Sequence, residues 1–268
     1  MMSNSQSTLY LHDTYLNKNI ELLTNQVIIE YDLKSANTNL SKEYGLLPMD
    51  KIQKIADMPR QKRVETIGKL MRKDAVFKEG LKAAFVDMRK RFFEANEIED
   101  GDILAVRKDA IWCLRPMKYT EFGACTFVEK NIYTSFLRLG NLEIFYSPKL
   151  QEDGTFGKLE VKGINDNDLL PHQDYLMKFF KTLFKHLETS DQKTAIRYLT
   201  RFIDKYKFRQ LELGYYREFS PNGIFRVLDS DITYDQEAFI PGEENRIDYL
   251  DIDYNFSNVI LPIVKILL

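Results

Sequence analysis

Cysteine and histidine are nearly absent from this chain: two Cys (Cys113, Cys125) and three His (His12, His172, His186) in 268 residues. Two thiols set so far apart build no disulfide framework and, without His partners, no zinc site. Three His argue against a His-rich metal centre and against His-based triads. Gly (12) and Pro (8) are too scarce for a collagen-like or Pro/Gly-rich disordered chain. No apolar run reaches the roughly 20 residues a bilayer span needs. The longest candidate, 259–268, is interrupted by Pro262 and Lys265. Residues 1–8 are polar and lack the apolar core of a signal peptide. A formal net charge of −2 excludes a uniformly basic nucleic-acid coat and a uniformly acidic tail protein. The class left standing is a soluble protein of a reducing compartment, expected in the cytoplasm and not at a membrane.

What is present is core-forming. Hydrophobic residues make up 44% of the chain and charged residues 29%, enough for one large domain or two small ones. Residues 1–25 read as a loose polar arm. Val27, Ile28 and Ile29, then Tyr31 and Leu33, predict a buried strand that ends at Asp32. A helical turn near 40–46 and a short helix between Pro48 and Pro59 follow. Ala75, Val76, Leu81, Ala84, Phe85, Met88 and Phe92 recur at helical spacing and predict one long helix over 72–96. Two apolar runs, 103–106 and 110–114, predict a tight hairpin with Asp109 at its tip. Residues 125–146 alternate as two or three strands, and 160–164 closes the β-rich part. From Pro171 onward amphipathic helices take over, starting near His172. The fold class is therefore α+β: an antiparallel sheet over 26–170, a helical insertion at about 48–96, and a mainly helical part over 171–268.

Two acids stand out by position. Asp32 ends a strand and Asp109 tips a hairpin. Carboxylates brought together at the ends of neighbouring strands suit a hard divalent cation such as Mg²⁺, and paired metals serve in-line phosphoryl displacement. The plain alternative is that each Asp caps a turn.

The residues around them carry a resemblance. IIEYDLKSANTNLSKEYGL (28–46) resembles the first catalytic motif of family B DNA polymerases, with Asp32 on its Asp and Ser35 on its Ser. FVDMRKRFFEANEIEDGDILAVRKDAIWCL (85–114) resembles the third motif and its preceding helix, with Arg89 on the helix Arg and Asp109 on the second hairpin Asp. LEVKGI (159–164) resembles the Lys-Gly segment after the palm. The resemblance spans about 26–215 in motif order. It implies a reduced, degenerate polymerase core: a palm-like sheet, a fingers-like insertion and a thumb-like helical part. It implies nucleotidyl transfer on a primer and template, DNA or RNA, with Mg²⁺ held by Asp32 and Asp109 as the catalytic and metal residues. A nucleoside triphosphate would meet Ser35, Asn37 and cations drawn from Arg60, Arg63, Lys69 and Lys73. Arg107, Lys108 and Lys162 would face nucleic acid.

The departures are specific. Arg107 replaces the first hairpin Asp, Asn37 replaces the aromatic residue that screens the sugar 2′ position, and the Lys-x₃-Asn-Ser-x-Tyr-Gly fingers motif is absent. The other reading is accordingly an inactive polymerase-like scaffold that binds nucleic acid or a replication or transcription partner. A third takes IEYDL as a nuclease metal motif with Glu30 and Asp102 as extra carboxylates. Between 50 and 120 the chain has 17 Lys/Arg against 12 Asp/Glu, and between 158 and 226 it has 13 against 9. These excesses fit a phosphate-tracking groove or a solvated helix surface equally well. Residues 229–253 hold nine acids against Arg246 alone and offer a protein partner a docking segment. Phe179, Phe180 and Phe184 read as core, and Tyr215 and Tyr216 as stacking candidates. Residue usage typical of an AT-rich genome, with the resemblance, points to a phage or other mobile element.

Overall fold

The computed structural model describes residues 7–140, 142–150, 156–162, 173–189, 192–208, 210–212 and 260–267. It is α+β with antiparallel pairing in each of its two sheets. The chain divides into two units, Met1–Lys18 with Val27–Ile132, and Asn19–Gln26 with Tyr133–Leu268. The boundary expected at 170 thus falls near 132, because the strands after it pair with one another.

In the first unit the β-branched run forms a strand as expected. Its elements are β1 (Thr14–Leu16), β3 (Ile28–Leu33), α1 (Ala36–Glu43), α2 (Met49–Ala56), α3 (Arg60–Lys73), α4 (Ala75–Ala95), β4 (Ile103–Arg107), β5 (Ala110–Cys113), β6 (Glu121–Phe122) and β7 (Cys125–Tyr133). The sheet runs β1-β4-β5-β3-β7-β6. Ile29, Tyr31 and Leu33 point to one face, where they join Leu81, Phe85, Met88 and Phe92 of α4 in a single core. Tyr31 and Phe92 meet ring to ring at 5.7 Å. The alternating Glu30 and Asp32 point to the opposite face.

Two expectations are corrected here. The polar arm is not loose throughout: β1 pairs with β4, with Tyr15 opposite Val106, and Leu9 is buried. The helix drawn over 72–96 is two helices. Asp74 breaks the run and caps α4, its carboxylate accepting from the Phe77 amide at 2.9 Å. That start leaves Val76 84% exposed and buries Phe77 instead. Asp74→Ala should cost about 1 kcal/mol, read as a lower midpoint in urea denaturation. Gly80 has a packing reason, since a Cβ there would meet Leu46 at 3.1 Å.

The second unit holds β2 (Leu22–Leu23), β8 (Ser135–Leu139), β9 (Leu142–Leu150), β10 (Phe156–Lys162), α5 (Gln173–Thr189), α6 (Gln192–Lys207) and α7 (Leu261–Leu267). Its sheet runs β10-β9-β8-β2. Phe179, Phe180 and Phe184 are fully buried with Leu137, Ile144 and Phe202, so the core reading of those rings holds. His172, Gly163, Tyr215, Tyr216 and the acidic 229–253 lie outside the described residues.

Candidate functional site

Register brings the two acids together. Asp32 on β3 sits opposite Ala110 on β5, and Asp109 immediately precedes Ala110. The Leu33 amide donates to the Asp109 carbonyl at 2.8 Å. The hairpin turn is the two residues Lys108 and Asp109, with Lys108 at φ 44° in the left-handed region. A buried side chain clamps this turn. Arg89 of α4, 1% exposed, donates to the Lys108 carbonyl (2.7 Å), the Tyr10 carbonyl (2.8 Å) and Asp13 Oδ1 (2.9 Å). It ties the turn that carries Asp109 to the N-terminal segment.

The acids open on a cavity of about 340 Å³, lined also by Ser35, Asn37, Arg60, Arg63 and Lys130, with Val64 and Ile67 as an apolar wall. Pro59 precedes Arg60 at the start of α3, and the helical repeat puts Arg60, Arg63, Val64 and Ile67 on one side. Ser35 precedes α1 at φ 47°, ψ 43°, a left-handed conformation that costs a non-glycine residue about 1 kcal/mol or more. Its hydroxyl makes no cap bond to α1. Lys130 Nζ stands 3.4 Å from Glu30 and 3.9 Å from Asp32.

Burial pushes the Asp32 carboxyl above its ordinary 3.8. Lys130 pulls it down, Asp109 and Glu30 push it up, and Arg60 pulls it down. The folded protein therefore holds this proton more tightly than the unfolded chain. The stabilising contribution is complete below 3.8 and is lost as pH rises through the raised folded value. Asp32→Asn should accordingly raise the Tm of the metal-free protein at neutral pH, the gain shrinking as pH falls toward 3.8. A lower Tm at neutral pH would contradict the sign.

The other site residues scatter. Arg107 shares the sheet face of Asp32 across Ala110, but its Nη1 donates to the Tyr15 and Val106 carbonyls, toward the β1 edge. Lys108 Nζ lies 4.8 Å over the Phe85 ring. Lys69 and Lys73 are exposed and do not line the cavity; each stands roughly half a turn around α3 from Arg60. Lys162 is in the second unit, bonded to Glu160 at 2.7 Å. The nuclease carboxylates have partners of their own: Glu30 accepts from Asn131 at 2.5 Å, and Asp102 pairs with Arg115 at 2.9 Å. Cys113 and Cys125 are buried, and burial raises both thiols, Cys125 to about 11. Lys130 escaped the sequence reading, because only the placement of β7 beside β3 brings it to Asp32.

Among the described residues no group of three or more His, Cys, Asp or Glu side chains is placed to hold a metal ion. The donor set of Asp32 and Asp109 nonetheless fits Mg²⁺. That ion is commonly held by one or two carboxylates and completes its shell with water and substrate phosphates. Burial first, and the repulsion from Asp109 and Glu30 after it, raise Asp32, and a bound cation would offset both.

Fold and cleft define an α+β protein with a two-carboxylate cleft walled by cations. The chain matches the family described as bacteriophage PBS1 gene 130 protein over residues 2–268, and it belongs to that phage family. No curated protein matches it. No helix among the described residues is long and apolar enough to cross a membrane.

Proposed function

We propose that the protein is a reduced, family B polymerase-like nucleotidyltransferase that joins a nucleoside triphosphate to a nucleic-acid primer. One observation carries the reading: Asp32 and Asp109 line one cavity together with Arg60, Arg63 and Lys130. A triphosphate needs cations on its oxygens and carboxylates for its metal, and this cleft presents both kinds. Asp32 and Asp109 would hold Mg²⁺, which supplies charge stabilisation for the attacking and leaving oxygens. Arg60 and Arg63 would neutralise the departing pyrophosphate. Ser35 would seat the phosphates with its hydroxyl, and Val64 and Ile67 would shield the apolar part of the nucleotide. Of the expected triphosphate ligands, Lys69 and Lys73 drop out of this assignment.

The test is primer extension with DNA and RNA templates, using wild type and the Asp32→Asn and Asp109→Asn variants. Extension by wild type alone supports the reading. Equal extension by both variants overturns it.

A second reading has its own observation. Arg107 stands where the resembling family has a carboxylate, so among the described residues that position adds no acid to Asp32 and Asp109 in the cavity lining. An inactive polymerase-like scaffold for nucleic acid or a replication or transcription partner would keep the cleft without the chemistry. Salt-sensitive nucleic-acid binding, indifferent to Mg²⁺ and to both Asp variants, with no extension, would favour it.

A further inference from the structure

The second unit carries a surface that the cleft does not use. Helix α6 buries Ala195, Leu199, Phe202 and Tyr206 on one side. At about 100° per residue, Lys193, Arg197, Arg201 and Lys205 fall within an arc of about 120° on the other side. All four are exposed. Each follows the last by four residues, a rise of about 6 Å per step. Asp204 is the one acid within 192–207. Among the described residues, Lys193, Arg197 and Arg201 make no ion pair.

The helix ends on an aromatic residue that composition does not single out. Phe208 is 73% exposed, and its amide bonds the Asp204 carbonyl at 2.9 Å, so the helical rotation continues through it. That rotation places Phe208 near the middle of the cationic arc. Other large rings of this unit, such as Phe179 and Phe184, are fully buried.

A row of cations with an open ring in line has a defined complement. Successive phosphates satisfy the charges, and an unpaired base covers the ring. A duplex supplies the phosphates but keeps its base faces stacked. We propose that α6 and Phe208 form a binding strip for single-stranded nucleic acid, with Arg197 and Arg201 on the backbone and Phe208 under a base. The strip is independent of the chemistry assigned to the cleft.

The experiment is fluorescence anisotropy of the full chain with a labelled oligothymidine and with a duplex of equal length, across a salt series. Arg197→Gln with Arg201→Gln should weaken the oligothymidine at least tenfold and flatten its log–log salt slope by about 1.4, at about 0.7 per phosphate contact. Phe208→Ala should weaken it by about tenfold and leave the duplex unchanged. Lys82→Gln, at an exposed cation of α4 in the first unit, should bind as wild type, which separates loss of this strip from a general loss of positive charge. All substituted α6 positions are exposed, and circular dichroism checks that the helices persist. The proposal is overturned if wild type fails to bind at low salt, or if the double variant binds as wild type. It is overturned equally if Phe208→Ala weakens the duplex as much as the single strand, or if it abolishes binding to phosphatidylserine vesicles while sparing the oligothymidine.

Discussion

Asp109→Asn is expected to lower primer extension by about 10³-fold or more. The substitution keeps the size of the side chain and removes its charge. The Asp109 carbonyl still accepts from the Leu33 amide, so the strand pairing that places the residue survives. What is lost is one of two carboxylates facing the cavity. A metal in such a site supplies several kcal/mol of transition-state stabilisation, and about 4 kcal/mol corresponds to that factor. Asp32→Asn should cost as much, because in the proposed reaction the two acids would act on the same cation and their losses would not add. The measurement is single-turnover extension at saturating Mg²⁺, with far-ultraviolet circular dichroism as the fold control. A loss confined to one variant would mean that the other acid serves only the turn.

Arg89→Met is expected to destabilise the protein by about 3 kcal/mol. The guanidinium is buried and satisfies two backbone carbonyls and one carboxylate. Burial lowers its pKa, and Asp13 pulls it back up. Methionine fills much of the volume but leaves the Tyr10 and Lys108 carbonyls without a donor, at about 1–3 kcal/mol each where water is excluded. Asp13 is 65% exposed, so Asp13→Asn should cost less than about 1 kcal/mol. At about 2–4 °C per kcal/mol for a large domain, the Arg89→Met midpoint should fall by roughly 6–12 °C. Differential scanning calorimetry of both variants checks the contrast. Equal, small shifts would show that the clamp is not what holds the turn.

The parts of the fold that were legible are those written in local pattern. The run at 28–33 and the two apolar runs flanking Lys108 and Asp109 are strands because β-branched and apolar residues fill a buried sheet. Asp32 and Asp109 were legible as a pair because each sits at a strand end. The illegible parts depend on pairing across distance. Strand β1 reads Thr-Tyr-Leu, half-buried at a sheet edge, and carries no apolar signal of its own. Lys130 reaches Asp32 only because β7 lies next to β3. The unit boundary moved to 132 because β8, β9 and β10 pair with one another, which alternation alone does not reveal. Asp74 was readable in principle, as an acid three residues before Phe77, but the basic run through Lys73 masked the helix start. Arg107 shows the limit from the other side. The resemblance would set it on a carboxylate position, yet its bonds run to the β1 edge, a direction no spacing encodes.

In the proposed reaction Asp32 and Asp109 together hold the divalent cation of a bound triphosphate. The most direct measurement is Mn²⁺ binding, followed by electron paramagnetic resonance, with and without a non-hydrolysable nucleoside triphosphate. The result expected is binding by wild type that tightens with the triphosphate and strengthens as pH rises and Asp32 ionises, with at least tenfold loss in Asp32→Asn and in Asp109→Asn. Mn²⁺ affinity unchanged in both variants would contradict the claim.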